Sequence, residues 1–568
     1  MAESRGRGFL FNEVEITTPQ RSGFDMSFEN RLSLNMGDLV PVSCQECLPG
    51  DMFAGNPQFF ARFAPLLAPI MHKVDLFHYT FFVPNRLVWD SWQEFISPGN
   101  GKKTMKNLSD GSYVAPEKPW FSTAKLYNDS DPKNYHDKLG AGSLLDYMGA
   151  RGVGSTKNNL STAFISYVDA LPFRAYQLIW DEYFRDQNVT ESLNIPKTDG
   201  QVGGNSSIVE VGKLLTLRKK AWEHDYFTSA LPEPQRGPDV YLPLGDSAPV
   251  NSGNQLVFTD YNGNPLHGGL FTNSSGQLLI GNYDPSVGDV TGTIAKIDGS
   301  NGNLSVDLQQ ATSSTINTLR QANALQRFLE KSARVGGRYI ESILAHFGVN
   351  VPDARLQRPD FVSAGRVPVA VSATTADAAS NVTDGEQTWL NVQGTQTGNA
   401  IASGSDKFKY TCLEHGFLIT LVCVLPRTAY MQGIKRMFRQ RKTYLDYAFP
   451  LFAHLGEQEV YNYEIYAQSE ASSAGIDANS SIFGYQSRYA DYKYNADEVH
   501  GDFVDSLDFW HMARKFSERP LLNESFIISD PTTRIFAVTD KSVHHIYLDC
   551  WFDLYKESAL PLYGTPSL

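Results

Sequence analysis

The sequence predicts a mainly β fold, an antiparallel jelly roll with long helical and loop insertions. Three observations predict it. Strand-like runs come from both ends of the chain, with helices and loops between them. Glycine (45) and proline (29) are plentiful beside an aromatic share of 12%, a composition of strands joined by turns and long loops. Helices and strands do not alternate regularly, as a doubly wound sheet would require. An eight-stranded antiparallel jelly roll satisfies all three.

The first 23 residues read as an extended, partly basic arm, with Arg5, Arg7 and Arg21 among Gly, Thr and Pro. The rest, 24–568, reads as a single domain with insertions. Segment 24–42 is strand-like, because Leu32, Leu34 and Met36 alternate with Ser33 and Asn35. Residues 73–83 make a strong strand closed by Pro84. Residues 97–141, rich in Asn, Asp and Lys, read as a long loop. A helix starts near Pro172, since proline suits the first helical turn, where its missing N–H is unpaired anyway. Phe173, Tyr176, Trp180 and Phe184 then follow at spacings of three and four as an apolar stripe. Arg174, Asp181, Glu182, Arg185 and Asp186 surround it.

The segment 244–314 is rich in Gly, Asn and Ser, with many Asp and Lys296 as its only Lys or Arg. It reads as a surface-exposed, acidic, β-rich insertion; the alternative is a disordered loop. A second helical region spans 315–347. Leu319, Leu325, Phe328 and Leu329 mark one face and Ile340, Ile343, Leu344 and Phe347 another, with Gly336 and Gly337 breaking or kinking it between. Further helices are expected over 427–442 and 506–517. Between them in kind, 416–425 is an apolar run fit for a sheet buried on both faces. The last strand is 543–553. Ile546, Leu548, Cys550 and Phe552 face one way, and His545, Tyr547 and Asp549 the other.

Charge and cysteine content narrow the function. Charged residues are only 20% of the chain, which excludes a disordered polyelectrolyte. A net charge of −13 argues against a protein whose whole surface coats nucleic acid. A shell escapes that argument, because only one of its faces meets the cargo. Five cysteines form no disulfide framework and fit a reducing cytoplasm. Cys412 and Cys423, in apolar strand-like segments, read as buried hydrophobes. The N-terminal MAESRGRGF lacks the apolar region of a signal peptide, and no apolar run reaches the ~18–20 residues of a membrane helix.

For enzyme chemistry the sequence is nearly silent. It has no GxSxG, HExxH or GxxxxGK[ST] motif, and no carboxylate pair stands out. Cys44 and Cys47 have CxxC spacing, but a zinc site needs about four ligands and no second pair exists. They read as structural. His544 and His545 would point to opposite faces of a strand, and His511 reads as a packed histidine. The expectation is therefore a protein that is not an enzyme and needs no cofactor or metal.

Several segments, in this order, carry a resemblance. They include FDMSFENRLSLNMGDLVPV (24–42), KVDLFHYTFFVPNRLVWDSWQEFI (73–96), LPFRAYQLIWDEYFRDQNV (171–189), DARLQRPDF (353–361), FGYQSRYADYKY (483–494) and PLYGTP (561–566). Together they resemble the major capsid proteins of the Microviridae, most closely the gokushovirus-like branch. The resemblance covers most of the chain and fades across 98–140, 246–312 and 373–405. It implies a structural protein of the virion. Sixty copies would form a T=1 icosahedral shell around a circular single-stranded DNA genome, assembled in the bacterial cytoplasm and with no membrane insertion. It also implies a small basic internal DNA-binding protein, a pilot protein and a host surface receptor as partners. The insertion at 244–314 would form protrusions at the three-fold axes, and Tyr261, Asn262, Asn264, Phe271 and Tyr283 are its candidates for host attachment.

Two readings compete with it. A secreted carbohydrate-binding or carbohydrate-cleaving β protein would use exposed aromatics, but lacks a signal peptide and a carboxylate pair. A cytoplasmic DNA-binding protein conflicts with the net charge.

Within the capsid reading, subunit contact is expected from aromatic–arginine mixtures. The candidates are Phe173, Arg174, Tyr176, Trp180, Tyr183, Phe184 and Arg185, with Tyr485, Arg488 and Tyr489 further on. The alternative is packing of that helix on its own barrel. DNA contact is expected at the densest basic cluster, Lys435, Arg436, Arg439, Arg441 and Lys442, interleaved with Met437, Phe438 and Tyr444, and at Arg5 and Arg7 in the arm. For the cluster, the favoured alternative is pairing with acidic neighbours in the same or an adjoining subunit. The triplet Arg218, Lys219 and Lys220 is a third basic site under the same alternative.

Overall fold

The computed structural model describes residues 20–97, 116–123, 136–151, 167–203, 208–237, 352–375 and 396–563. It also describes the helix and strand segments lying within 250–347 and 380–391. The chain divides into two compact units, Met1–Pro234 with Arg334–Leu568, and Gln235–Ala333.

Two antiparallel sheets build the larger unit. Its strands are β1 (Ser22–Asp25), β2 (Phe28–Leu34), β3 (Val40–Cys47), β4 (Met52–Phe63), β5 (Val74–Pro84), β6 (Asp360–Pro368), β7 (Ala370–Thr375), β8 (Gln396–Ser405), β9 (Phe408–Thr411), β10 (Gly416–Pro426) and β11 (Ile546–Ser558). One sheet runs β1–β11–β4–β8–β7, with β2 also on β11 and β9 also on β4, seven strands in all. The other has four strands in the order β6–β5–β10–β3. The assigned strands thus exceed the eight that the sequence predicts. The long pairings join distant parts of the chain: Ile546 faces Phe63 across β11 and β4, and Gly416 faces Pro84 across β10 and β5.

The two sheets differ in what covers them. In β4 and β11 burial alternates residue by residue, so one face is packed and the other is open. Leu548, Cys550 and Phe552 of β11 meet Val40, Leu76 and Val422 of the four-stranded sheet in the core between the sheets. Every residue of β10 is buried, as the unbroken apolar run GFLITLVCVLP predicts. Its second face packs under a helix, α1 (Leu171–Ile179), in a second core that holds Phe81, Ile419 and Leu421 with Phe173, Tyr176 and Trp180.

The smaller unit holds a three-stranded antiparallel sheet of Gly269–Thr272, Leu278–Asp284 and Asp289–Ile294, and two two-stranded pairs. A helix, α2 (Ile316–Val335), begins in it. Its described span ends at Val335; Gly336 and Gly337, where the sequence places a break, lie outside the described residues. Much of 97–141 lies outside the described residues. Within it Trp120 and Phe121 pair with Asp169 and Val168, so that stretch is not loop throughout.

Three expectations about elements are corrected. No long helix spans 427–442: the described chain has a two-residue strand at Ala429–Tyr430 and a single turn, α3 (Arg436–Arg439). Tertiary ion pairs of Arg436 and Arg439 override helix propensity there. Region 506–517 holds only a 3-10 turn at Asp508–Trp510. Beyond it the His511 ring accepts the Ala513 amide, and the Arg514 amide bonds the Ala429 carbonyl, so the backbone is committed elsewhere. The last strand starts at Ile546, and His545 is buried rather than outward. Its ring stacks on Phe536 at 4.5 Å and reaches the Val538 carbonyl at 2.8 Å.

Candidate interface and nucleic-acid surfaces

The aromatic–arginine helix is an internal clamp. Asp169 accepts the Leu171 amide at 3.0 Å just ahead of Pro172 and starts α1. The helix continues as a π-helical turn over Trp180–Phe184. Phe173, Arg174, Tyr176 and Trp180 are all buried within this chain. Arg174 donates to the carbonyls of Val88 (3.0 Å) and Thr198 (3.1 Å), and burial pulls its guanidinium down to about 10. The Trp180 indole donates to the Lys219 carbonyl at 2.8 Å, and Arg218 lies over its ring. These four side chains therefore present no surface to a neighbour; packing on the barrel, the alternative reading, describes them. Tyr183 and Arg185 are half-buried. The Tyr183 hydroxyl donates to the Pro359 carbonyl at 2.5 Å, and Arg185 pairs with Asp181 at 2.7 Å. Phe184 packs edge-on to Tyr79.

Tyr485 lies within a strand, Ile482–Ser487, that pairs with Glu457–Tyr461, and Arg488 and Tyr489 follow it. The Tyr485 backbone bonds Leu231 in both directions at 2.8 Å. Arg488 and the Tyr489 hydroxyl both donate to the Leu445 carbonyl, at 3.1 and 3.0 Å. Tyr489 sits in the left-handed region, at φ 61°. Together these residues pin the loop that carries the basic cluster.

Most of that cluster is neutralised inside the chain. Lys435 pairs with Glu498 at 2.9 Å and Arg436 with Glu464 at 3.0 Å, while Arg439 pairs with Glu470 and Arg441 with Asp491. Burial pushes the Glu464 carboxyl up against the pull of Arg436, which lies next to it. Arg439 and Arg441 also stack over Tyr463 and Tyr492. Of the five cations in the cluster, Lys442 alone is exposed with no side-chain partner among the described residues. Phosphate binding by counterion release needs free cations, so this geometry favours the internal-pairing alternative. Arg218, Lys219 and Lys220 are likewise engaged, with Gln177, Asp530 and the Phe77 ring. Arg5 and Arg7 lie outside the described residues.

Sequence reasoning missed what the same loop shows to solvent. Met437, Phe438, Tyr444 and Leu451 point outward, Phe438 at 73% and Leu451 at 82% exposure. The signal was present in the interleaving of aromatics with cations, but it reads equally well as base stacking.

Cys44 and Cys47 join different cores, Cys44 beneath α1 and Cys47 beside Phe53 and Cys412. Spacing of three in a strand puts them on opposite faces, so they share no metal. No group of three or more His, Cys, Asp or Glu suited to a metal occurs among the described residues. No described helix is long and apolar enough to cross a membrane. Of the attachment candidates, Tyr261, Asn262 and Asn264 lie outside the described residues. Phe271 and Tyr283 fall in the paired strands of the smaller unit.

A family model described as Capsid protein (F protein) matches residues 12–130 and 144–568. The chain is 35% identical to Capsid protein VP1 of Bdellovibrio phage phiMH2K, across 99% of this chain and 98% of that relative. It is 34% identical to Capsid protein VP1 of Chlamydia phage 1, across 98% and 97%. With Capsid protein VP1 of Spiroplasma virus 4 the identity is 28%, across 96% and 95%.

Proposed function

This chain belongs to the phage capsid protein (F protein) family, and from that membership we propose that it closes into a sixty-copy, T=1 icosahedral shell around a single-stranded DNA genome. It is a major capsid protein of the gokushovirus-like Microviridae, a structural component of the virion and not an enzyme. The carbohydrate-binding alternative is set aside on that ground.

One observation about the sheets supports the jelly-roll reading most. β1 and β2 pair with successive stretches of β11, Tyr555–Ser558 and then Ile546–Phe552. β8 and β9 pair with successive stretches of β4. Taken as one interrupted row each, and with β7 as an edge extension, they reduce the two sheets to four rows apiece. Eight antiparallel rows in two facing sheets are what a jelly roll requires, and this supports that reading. Its long inter-strand connections then become surfaces for neighbours, and heterologous contacts close into rings. Multivalency stabilises the shell even where each contact is weak.

Negative-stain electron microscopy of the purified chain, with its A260/A280 ratio, tests this. Uniform small icosahedra with high absorbance at 260 nm are expected, and soluble protomers that never assemble would contradict it. The insertion at 244–314 is proposed as the host-attachment protrusion. Its deletion is expected to spare assembly and reduce adsorption; a misfolded product would sink the idea.

A further inference from the structure

The loop 434–456 is built inside out. Two of its arginines turn inward, where Arg436 pairs with Glu464 and Arg441 with Asp491, all nearly buried. Its apolar side chains turn outward: Met437, Phe438, Tyr444, Tyr447, Leu451 and Leu455 are each more than half exposed. Folding a chain this way opposes the hydrophobic effect in an isolated protomer. Six side chains of this size, about half exposed, carry roughly 600 Å² of uncovered surface between them. Monomeric proteins rarely leave so large a patch bare, and one side of a standard protein interface is about 800 Å².

Several of the exposed groups are neighbours in space, in two clusters. Met437, Phe438 and Tyr447 line a common cleft of about 1050 Å³, and Phe452 lies 6.4 Å from Tyr444 and 6.0 Å from Phe449, ring centre to ring centre. The loop is held in place by bonds that do not involve this surface. Arg488 and Tyr489 grip the Leu445 carbonyl, and Asp446 accepts the Thr443 amide at 2.7 Å and the Lys442 amide at 3.0 Å.

We propose that the outward face of 434–456 is a contact surface that docks against a second copy of this chain. The inference rests on the shell reading above, which supplies a second copy as neighbour. Nucleic acid fits this face poorly, because Lys435, Arg436, Arg439 and Arg441 already have carboxylate partners and offer phosphates little. A largely apolar face whose neighbouring cations are mostly paired, Lys442 apart, has the make-up of an interface core, where aromatic and Met side chains are enriched and free charge is depleted.

The test uses the full chain carrying Phe438→Asp and Leu451→Asp, beside a conservative variant, Phe438→Leu. Sedimentation velocity reads the particle fraction and circular dichroism the melting temperature. The Asp variant is expected to lose particles by about tenfold or more, as removal of central anchors does, with melting unchanged. Phe438→Leu is expected to assemble. An Asp variant that assembles at the wild-type yield overturns the proposal. Hydroxyl-radical footprinting of wild-type chain covers the case in which the variant fails to fold. Met437 and Phe438 should be oxidised about tenfold more slowly in DNA-free shells than in protomers, as full burial in an interface core requires. Equal rates, or protection only in DNA-filled particles, overturn it. Wild-type chain that sediments only as protomer contradicts the shell reading itself and removes the basis of the inference.

Discussion

The Tyr176 hydroxyl donates a 2.8 Å hydrogen bond to the Leu39 carbonyl and accepts one of 2.9 Å from the Arg218 amide. A single oxygen thus ties α1 to the entry of β3 and to the backbone at Arg218. Tyr176→Phe keeps the packing and leaves both backbone groups unpaired in a buried place. The expected loss is about 1–3 kcal/mol, seen as a lower denaturant midpoint with an unchanged slope. A midpoint equal to that of the wild type would show that water replaces the hydroxyl.

Arg174 holds two carbonyls from different segments, Val88 and Thr198, with one planar fork. Arg174→Lys keeps the charge but cannot span both acceptors. Arg174→Lys and Arg174→Leu are both expected to destabilise the chain by about 2–4 kcal/mol in urea melts. Full rescue by lysine would mean that charge, not geometry, is what this position supplies.

Stability should fall with pH through the titration of Asp38. Burial pushes its carboxyl up to about 6; Lys219 opposes the rise and Asp530 adds to it. Lys541 and His545 line the same cleft. The folded chain therefore binds this proton more tightly than the unfolded chain, whose carboxyl titrates near ~4. The group costs stability as pH rises through that window, and the cost is complete above about 6. Asp38→Asn should raise stability at pH 8 by about 2–3 kcal/mol, seen as a higher melting temperature, and leave it nearly unchanged at pH 4. The same increment at both values would exclude the carboxyl as the cause.

The cysteines should be inert. Cys47, Cys412, Cys423 and Cys550 are buried, and burial pushes the Cys44 and Cys423 thiols up to about 12. Thiolate, not thiol, is the nucleophile, so disulfide-exchange reagents find little to attack at pH 8. Native chain is expected to stay unlabelled over the interval in which denatured chain releases all five thiols. Rapid labelling of one native thiol would contradict this.

Strands with a single environment were legible in the sequence. The run 416–425 fills β10 because both its faces are packed, and the alternation from Ile546 to Phe552 is the alternation of β11 against β4. Pro84 ends β5, as a proline closing a strand should. Residues whose partner is far off in the chain were not legible. Spacing showed an amphipathic stripe from Phe173 to Phe184, but not that its cover is the chain's own β5 and β10 rather than another subunit. Pairing of the cations at 435–441 was the favoured reading, but the partners could not be named, because Glu464, Glu470, Asp491 and Glu498 stand about thirty to sixty residues downstream and only the fold brings them close.

Electron microscopy of the purified chain, with sedimentation as its check, decides whether the protein builds a shell. One fast-sedimenting species of uniform closed shells is expected, with the two-sheet barrel resolved in each protomer of the reconstruction. A chain that remains protomeric at every concentration, with or without single-stranded DNA, would contradict it.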